Sequence, residues 1–331
     1  MSKWREVPKV ELHLHLEGAA PPEFIRELAG EQGVALDGVF NADGSYQWSD
    51  FTTFLETYHT ACSVLRGPEE YRRLTEAVLE KSAEDGVVYT EVFISPDICG
   101  GGDAAAWIDF LDAIYEGAET ARRNTGIVSR FVAVCIRNFG PEKAENAAQL
   151  AVEAMGPRLT GFGMAGEERV LSAADFVGAF SIAKEAGMGI TSHAGELAGA
   201  ASVRETLDHL PVSRIGHGVR AIEDAALVQR LAEEGITLEC CPGSNVSLNV
   251  FPGWAEHPIE KLRQAGVNVT VSTDDPPYFH TDMVAEYDHL EATFGWDAAR
   301  FRDINVAAMN AAFCDAETAM KIIRKLDGAS S

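Results

Sequence analysis

The chain lacks most of the features that announce whole classes of protein. No run among its 331 residues approaches the ~20 consecutive apolar residues of a membrane span. The opening residues MSKWREVPKV have no apolar core of the kind a secretory signal carries, so a cytoplasmic location is expected. Cationic side chains are scarce: 27 Lys and Arg stand against 51 Asp and Glu, for a formal net charge of −24. That balance excludes nucleic acid as a partner, because affinity for a phosphate backbone rests on clustered cations. It does not repel a neutral or cationic small molecule. Acidity alone says nothing about catalysis, since most such carboxylates simply solvate a surface. The six cysteines (62, 99, 135, 240, 241 and 314) show no zinc-ribbon spacing. They are too sparse for a disulfide scaffold and read as reduced, mostly buried thiols. The turn after the first strand-like run, LEGAAPP, has no G-x-G-x-x-G cradle, no P-loop appears, and short repeats, low-complexity tracts and linkers are also missing.

What is present is alternation. Apolar strand-like runs begin near residues 10, 87, 128, 159, 189, 214, 235 and 268, each followed by a polar or glycine-bearing turn and then a helical pattern. Eight β and α units in one chain, with 46% hydrophobic residues to fill a core, predict a single (β/α)8 TIM barrel of the α/β class across 1–331. An open doubly wound sheet is the structural alternative. The connection after the first strand is unusually long. Its stretch WSDFTTFLETYHTACSVL predicts a helix capped by Ser49 or Asp50, with Phe51, Phe54, Leu55 and Tyr58 along one stripe. The expected role of this insertion, about residues 36–70, is to pack on the barrel rim and to serve as a helical lid over the mouth.

The first strand, KVELHLHLEG, poses the functional question. With side chains alternating faces, Val10, Leu12, Leu14 and Leu16 share one side and Glu11, His13, His15 and Glu17 the other. In a barrel the leucines turn outward under helices and the histidines inward. His13 and His15 then have Cα atoms about 6.6 Å apart, and their imidazoles can converge on one ion. Catalytic groups of such barrels sit at the C-terminal strand ends. There the later strands supply His193 with Glu196, His217, and Asp274 with Asp275. Two histidines on one strand, a third from His193 and the Asp274 carboxylate form an N/O ligand set that suits zinc first, and also accommodates iron, cobalt or manganese. A metal there makes a water acidic near neutral pH. His217 is placed to orient that water, take its proton or stabilise developing charge. Glu196 is placed to give a proton to the substrate, and Asp275 to hold it by hydrogen bonding. Metal-assisted hydrolysis follows. Each of the remaining histidines, His59, His209, His257, His280 and His289, is expected in a surface or structural role, with His280 also considered for the mouth.

With those motifs in view, the chain resembles the adenosine and adenine deaminases of the amidohydrolase superfamily. The matching segments are PKVELHLHLEG (8–18), MAGEE (164–168), SHAGE (192–196), RIGHGV (214–219), CPGSN (241–245) and STDDP (272–276). The resemblance implies one Zn2+ per chain on His13, His15, His193 and Asp274, and attack of a zinc-bound hydroxide on purine C6. It implies Glu196 as proton donor to N1, and His217 as the residue that positions and polarises the hydroxide. Asp275 is implied as acceptor on the N7 side, and Gly166 as a backbone contact to N3. The partner is a small-molecule purine nucleoside or base. A bridging lysine of two-metal lactonases is missing from the fourth strand, and a non-catalytic purine binder does not account for a complete set of catalytic positions.

Two segments disagree about which purine. Glu17 stands where adenosine deaminases usually carry Asp, and is commoner in the adenine branch. MAGEE looks like the adenosine branch. Weighing the turn against the purine edge more heavily, the expectation is adenosine or 2′-deoxyadenosine converted to inosine or 2′-deoxyinosine with release of ammonia. The alternative is adenine to hypoxanthine, or another modified 6-aminopurine.

Overall fold

In the computed structural model, which describes residues 2–328, all eight expected strands are present. They are β1 (Lys9–His15), β2 (Val87–Ile94), β3 (Val128–Ile136), β4 (Leu159–Ala165), a fifth in two pieces, β5 (Gly189–Ile190) and β6 (His193–Ala194), then β7 (Arg214–His217), β8 (Thr237–Cys240) and β9 (Asn268–Val271). Every pairing is parallel, in the orders β1 to β5 and β6 to β9. The break in the fifth strand does not open the barrel. Thr191 N still donates to Phe162 O on one side, and Gly216 N to Ser192 O on the other. Closure comes at the opposite seam, where Leu14 pairs with Asp274; His15 N donates to Asp274 O at 3.0 Å, and Asp274 N to His13 O at 3.2 Å. The chain is therefore a (β/α)8 barrel, and the seam that closes it joins two site residues directly.

The two faces of β1 divide as alternation requires. Val10 and Leu12 pack against Ala308, Met309, Ile322 and Leu326 from two C-terminal helices, Ala298–Ala311 and Ala316–Gly328. His13 points the other way, its ring 4.7 Å from Phe93 and 4.5 Å from His193. The helices start on ordinary signals. Asp103 accepts from Ala106 N at the head of Ala104–Thr125, and Asp297 from Arg300 N at the head of Ala298–Ala311. Pro68–Glu84 opens on proline with two glutamates in its first turn, which complements the helix dipole.

The long first connection holds a helix over Pro22–Gln32, which the sequence pattern had not suggested, and the expected one over Phe51–Cys62. Of the two proposed caps it is Asp50 that bonds Thr53 N, in a reciprocal box with the Thr53 side chain. Phe54 is buried against Tyr278 and Phe279, with centroids 5.5 and 5.2 Å apart, and Trp48 Nε1 donates to Tyr278 O at 2.8 Å. The helix thus sits on the loop that follows Asp275. Leu55, assigned to the same stripe, is 43% exposed instead. All six cysteines are free thiols, four of them buried, and among the described residues no helix is long and apolar enough to cross a membrane.

Candidate active site

The residues singled out on the strand ends converge. Ligand-type atoms of His13, His193, His217 and Asp274 all lie within 4.8 Å of one another, as do those of His15, Asp274 and Asp275. His13 Nε2 and His15 Nε2 each stand 3.3 Å from Asp274 Oδ1, and His15 Nε2 is 3.3 Å from His193 Nε2. His217 Nε2 lies 3.9 Å from the other oxygen, Oδ2, and 3.7 Å from Glu196 Oε2. The two oxygens of Asp274 thereby divide the site: Oδ1 faces the first-strand pair, while Oδ2 accepts from Ser244 Oγ at 2.7 Å and faces His217.

Tautomers follow from the partners. His193 Nδ1 lies 2.9 Å from the carbonyl of Met164, which can only accept, so Nδ1 carries the proton and Nε2 keeps its lone pair. His13 Nδ1 is 2.8 Å from Glu239 Oε2, which again turns the Nε2 lone pair inward. That Nε2 is buried without a hydrogen bond. An orphaned acceptor costs free energy in an interior unless something occupies it. Three imidazole nitrogens and a carboxylate oxygen around one point are what a divalent ion of the zinc type takes, so these residues fit a metal.

The electrostatics point the same way. Burial and the neighbouring imidazoles push His193 well below the ordinary histidine range, and burial carries His217 down to about 3. Burial also pulls on His13, yet the flanking carboxylates of Asp274 and Glu239 outweigh it and raise it to about 10. The carboxylates around His13 therefore stabilise positive charge at the centre of the cluster. Glu196 is raised well above the usual carboxyl range by burial and then by the Asp274 charge, and Asp275 by the same two causes. Asp275 Oδ1 is buried with no partner.

Local backbone makes this packing possible. His217 and Asp274 have φ of +59° and +69°, the left-handed region that non-glycine residues rarely adopt. Gly18 is required by contact: a Cβ there would stand 1.5 Å from Asp275 Oδ1. Gly216 is similar, since a Cβ would meet His13 Cε1 at 2.9 Å.

Glu17 is also at the site, buried at the end of the first strand, where Oε1 accepts from Tyr71 OH at 2.8 Å and lies 4.0 Å from Cys99 Sγ. Gly166, with φ of +104°, is held beside Asn138, whose Oδ1 accepts from Glu167 N at 2.9 Å. His59, His209, His280 and His289 are exposed. His257 is not: it is buried, and its Nε2 lies 3.2 Å from Asn245 Oδ1, while Asn245 Nδ2 lies 3.3 Å from His217 Nδ1. The sequence reading overlooked this relay, and overlooked Glu239, Ser244 and Glu168 as well. A signal existed for Glu239, which shares the inward face of β8 with Thr237. For the others, CPGSN and MAGEE marked the segments without saying which side chain turns inward.

Comparison with known proteins agrees with this geometry. The adenosine deaminase family model matches residues 8–329. A protein of Rhizobium leguminosarum bv. trifolii named adenine deaminase is 47% identical over 322 residues, covering 96% of this chain and 98% of its own. Among solved structures, the adenine deaminase of Arthrobacter aurescens superposes with a TM-score of 0.89 at 27% identity, covering 97% of this chain and 98% of that one. An amidohydrolase of Burkholderia ambifaria with bound Zn superposes at 0.84 and 25% identity, over 99% and 92%. The family model and the two named relatives place the chain with hydrolytic purine deaminases, and those names favour adenine where the sequence segments had favoured adenosine.

Proposed function

We propose, for a chain that belongs to the adenosine deaminase family, that its reaction is the hydrolysis of the free base adenine to hypoxanthine and ammonia. Glu17 carries the preference for base over nucleoside. Its carboxylate is buried, and the bond from Tyr71 OH to Oε1 holds the longer glutamate side chain in place where the family's adenosine deaminases carry the shorter aspartate. The turn that argued for adenosine has other partners. Glu167 pairs with Arg169 at 2.7 Å, and Glu168 folds back onto backbone amides. Neither carboxylate of MAGEE is presented to a sugar. The near full-length identity to relatives named adenine deaminase supports the same choice.

In this reading His13, His15, His193 and Asp274 hold one Zn2+, which when bound lowers the pKa of water and so supplies a nucleophile near neutral pH. The remaining work belongs to the protein. Glu196, kept protonated by burial beside Asp274, delivers its proton to N1 and makes C6 electrophilic. His217, whose Nδ1 accepts from Asn245 Nδ2 so that Nε2 carries the proton, donates from Nε2 to the oxygen of the attacking water, holding it in place and stabilising the charge that develops there. Asp275 Oδ1 engages the N7 side, and the Gly166 backbone meets N3. Water adds at C6 and ammonia leaves, so the sum is adenine and water to hypoxanthine and ammonia. The helix Phe51–Cys62, seated on the loop after Asp275, serves as the lid that keeps bulk water out.

Ammonia release from adenine, adenosine and 2′-deoxyadenosine, measured side by side on zinc-loaded protein, tests the choice. A kcat/KM for adenine on the order of 10²-fold or more above the nucleosides is expected. Equal or reversed preference would return the protein to the adenosine reading.

A further inference from the structure

Glu196 does not sit on a strand. It lies in an irregular turn, residues 195–198, between β6 and the helix Ala200–His209. A proton donor must be held within a few tenths of an ångström of its target, and irregular backbone does not do that unaided. The turn is gripped from outside by one side chain, Glu168, from the loop after β4. Its Oε1 accepts from Gly195 N and, at 2.6 Å, from Ser202 Oγ; its Oε2 accepts from Glu196 N at 3.1 Å, Leu197 N at 2.7 Å and Ala198 N at 2.8 Å. Five donors converge on one carboxylate that is 5% exposed. On the other side Arg220 Nη1 donates to the Leu197 carbonyl at 2.7 Å. Glu196 N is itself one of the bonded amides, so the donor's own backbone is pinned by Glu168.

We propose that Glu168 is a positioning residue for the reaction: its carboxylate sets the backbone of 195–198 and so the place from which Glu196 delivers its proton. This rests on the reading of Glu196 as that donor. The metal ligand three residues upstream is anchored separately, because His193 Nδ1 is bound to the Met164 carbonyl and β6 is paired with β7. Loss of the Glu168 grip therefore releases Glu196 and leaves the ligand in place. An ionised carboxylate is needed, since it accepts on both oxygens. Glutamine at this position would turn an N–H2 group toward amide donors.

The test is a double-mutant cycle on the zinc-loaded full chain with adenine as substrate, reading kcat, KM and metal content. Glu168→Gln is expected to lower kcat on the order of 10²-fold, with KM within about threefold and the metal retained. Glu196→Gln is expected to lower it further, and the double variant to be no slower than Glu196→Gln alone, because a misplaced donor costs nothing once the donor is gone. Near-wild-type kcat for Glu168→Gln overturns the proposal. So does a double variant that loses the product of both single losses, which is what a merely structural role gives. Should Glu168→Gln fail to fold, Ser202→Ala removes one of the five donors. It is expected to lower kcat about threefold in the wild-type background and not at all in the Glu196→Gln background; equal losses in both backgrounds overturn the proposal. Wild-type rates from Glu196→Gln alone would instead sink the functional reading, and this inference with it.

Discussion

Two buried polar clusters share the inside of this barrel, and they differ in what their charges face. At the C-terminal strand ends, His13, His193, His217 and Asp274 crowd together, with His15 beside Asp274, an orphaned imidazole nitrogen and no Lys or Arg among them. Toward the N-terminal ends, Arg214 pairs with Glu91 at 2.7 Å and with Glu239 at 2.6 Å and stacks over Phe313 at 3.6 Å, so that a cation stands between two carboxylates. Glu239 belongs to both clusters. One oxygen takes Arg214 and Thr191, and the other takes His13 Nδ1. Burial favours its neutral form, yet Arg214 and His13 hold it down at about 2. The lower cluster supplies its own cation, is complete in that sense, and acts as scaffold. The upper one has imidazoles and carboxylates but no Lys or Arg, is incomplete in that sense, and fits a bound metal ion.

Substitutions separate the two. The largest effect is expected from His13→Ala, which removes an inward nitrogen of the incomplete cluster: metal and turnover disappear together, read by metal stoichiometry and ammonia release, while the fold survives. An unchanged metal content would remove His13 from the ligand set. Next comes Arg214→Met in the complete cluster. It strands two buried carboxylates and is expected to cost about 3–5 kcal/mol of unfolding free energy. Denaturant titration checks this, and a loss below about 1 kcal/mol would mean that the cluster is not the scaffold described. Glu239→Gln tests the shared member. By loosening the orientation of His13 it is expected to weaken metal affinity about 10–100-fold, measured by competition with a chelator.

The smallest effect lies outside both clusters. Glu260 is held at about 2 first by Arg263, with Trp296 and Gln264 as further donors. Its folded value is below that of the unfolded chain. The stability it contributes is therefore present above pH 4.5 and fades as pH falls toward 2. Glu260→Gln is expected to lower stability by about 1 kcal/mol at neutral pH, with the gap to wild type closing in acid. Thermal melts across that range check the sign, and a gap that widens in acid would contradict it.

The comparison also explains where sequence reading succeeds. His13 and His15 were legible because strand alternation puts residues two apart on one face whatever surrounds them. Asp274 and Asp275 were legible as the acidic pair just past the last strand, although both turn to the site and each brings an oxygen within 4.8 Å of a His15 nitrogen. The break in the fifth strand was not visible in GITSHAG, because it depends on which neighbour each half bonds. Leu55 matched the helical stripe as well as Phe54 did, yet only Phe54 meets the loop carrying Tyr278 and Phe279. MAGEE drew attention to the right turn but led to a sugar argument that the names of the relatives do not favour. Sequence order cannot say that one of its glutamates meets Arg169 and the other the amides 195–198.

By itself, then, the sequence determined the barrel, the candidate ligand set and the class of chemistry, because periodicity along a strand is covalent and survives any packing. Tertiary structure alone decided the tautomers of His13 and His193, the grip of Glu168 on the donor turn and the engagement of Glu17 by Tyr71. Each of these depends on a partner 27 or more residues away, and only folding brings such partners within hydrogen-bonding distance.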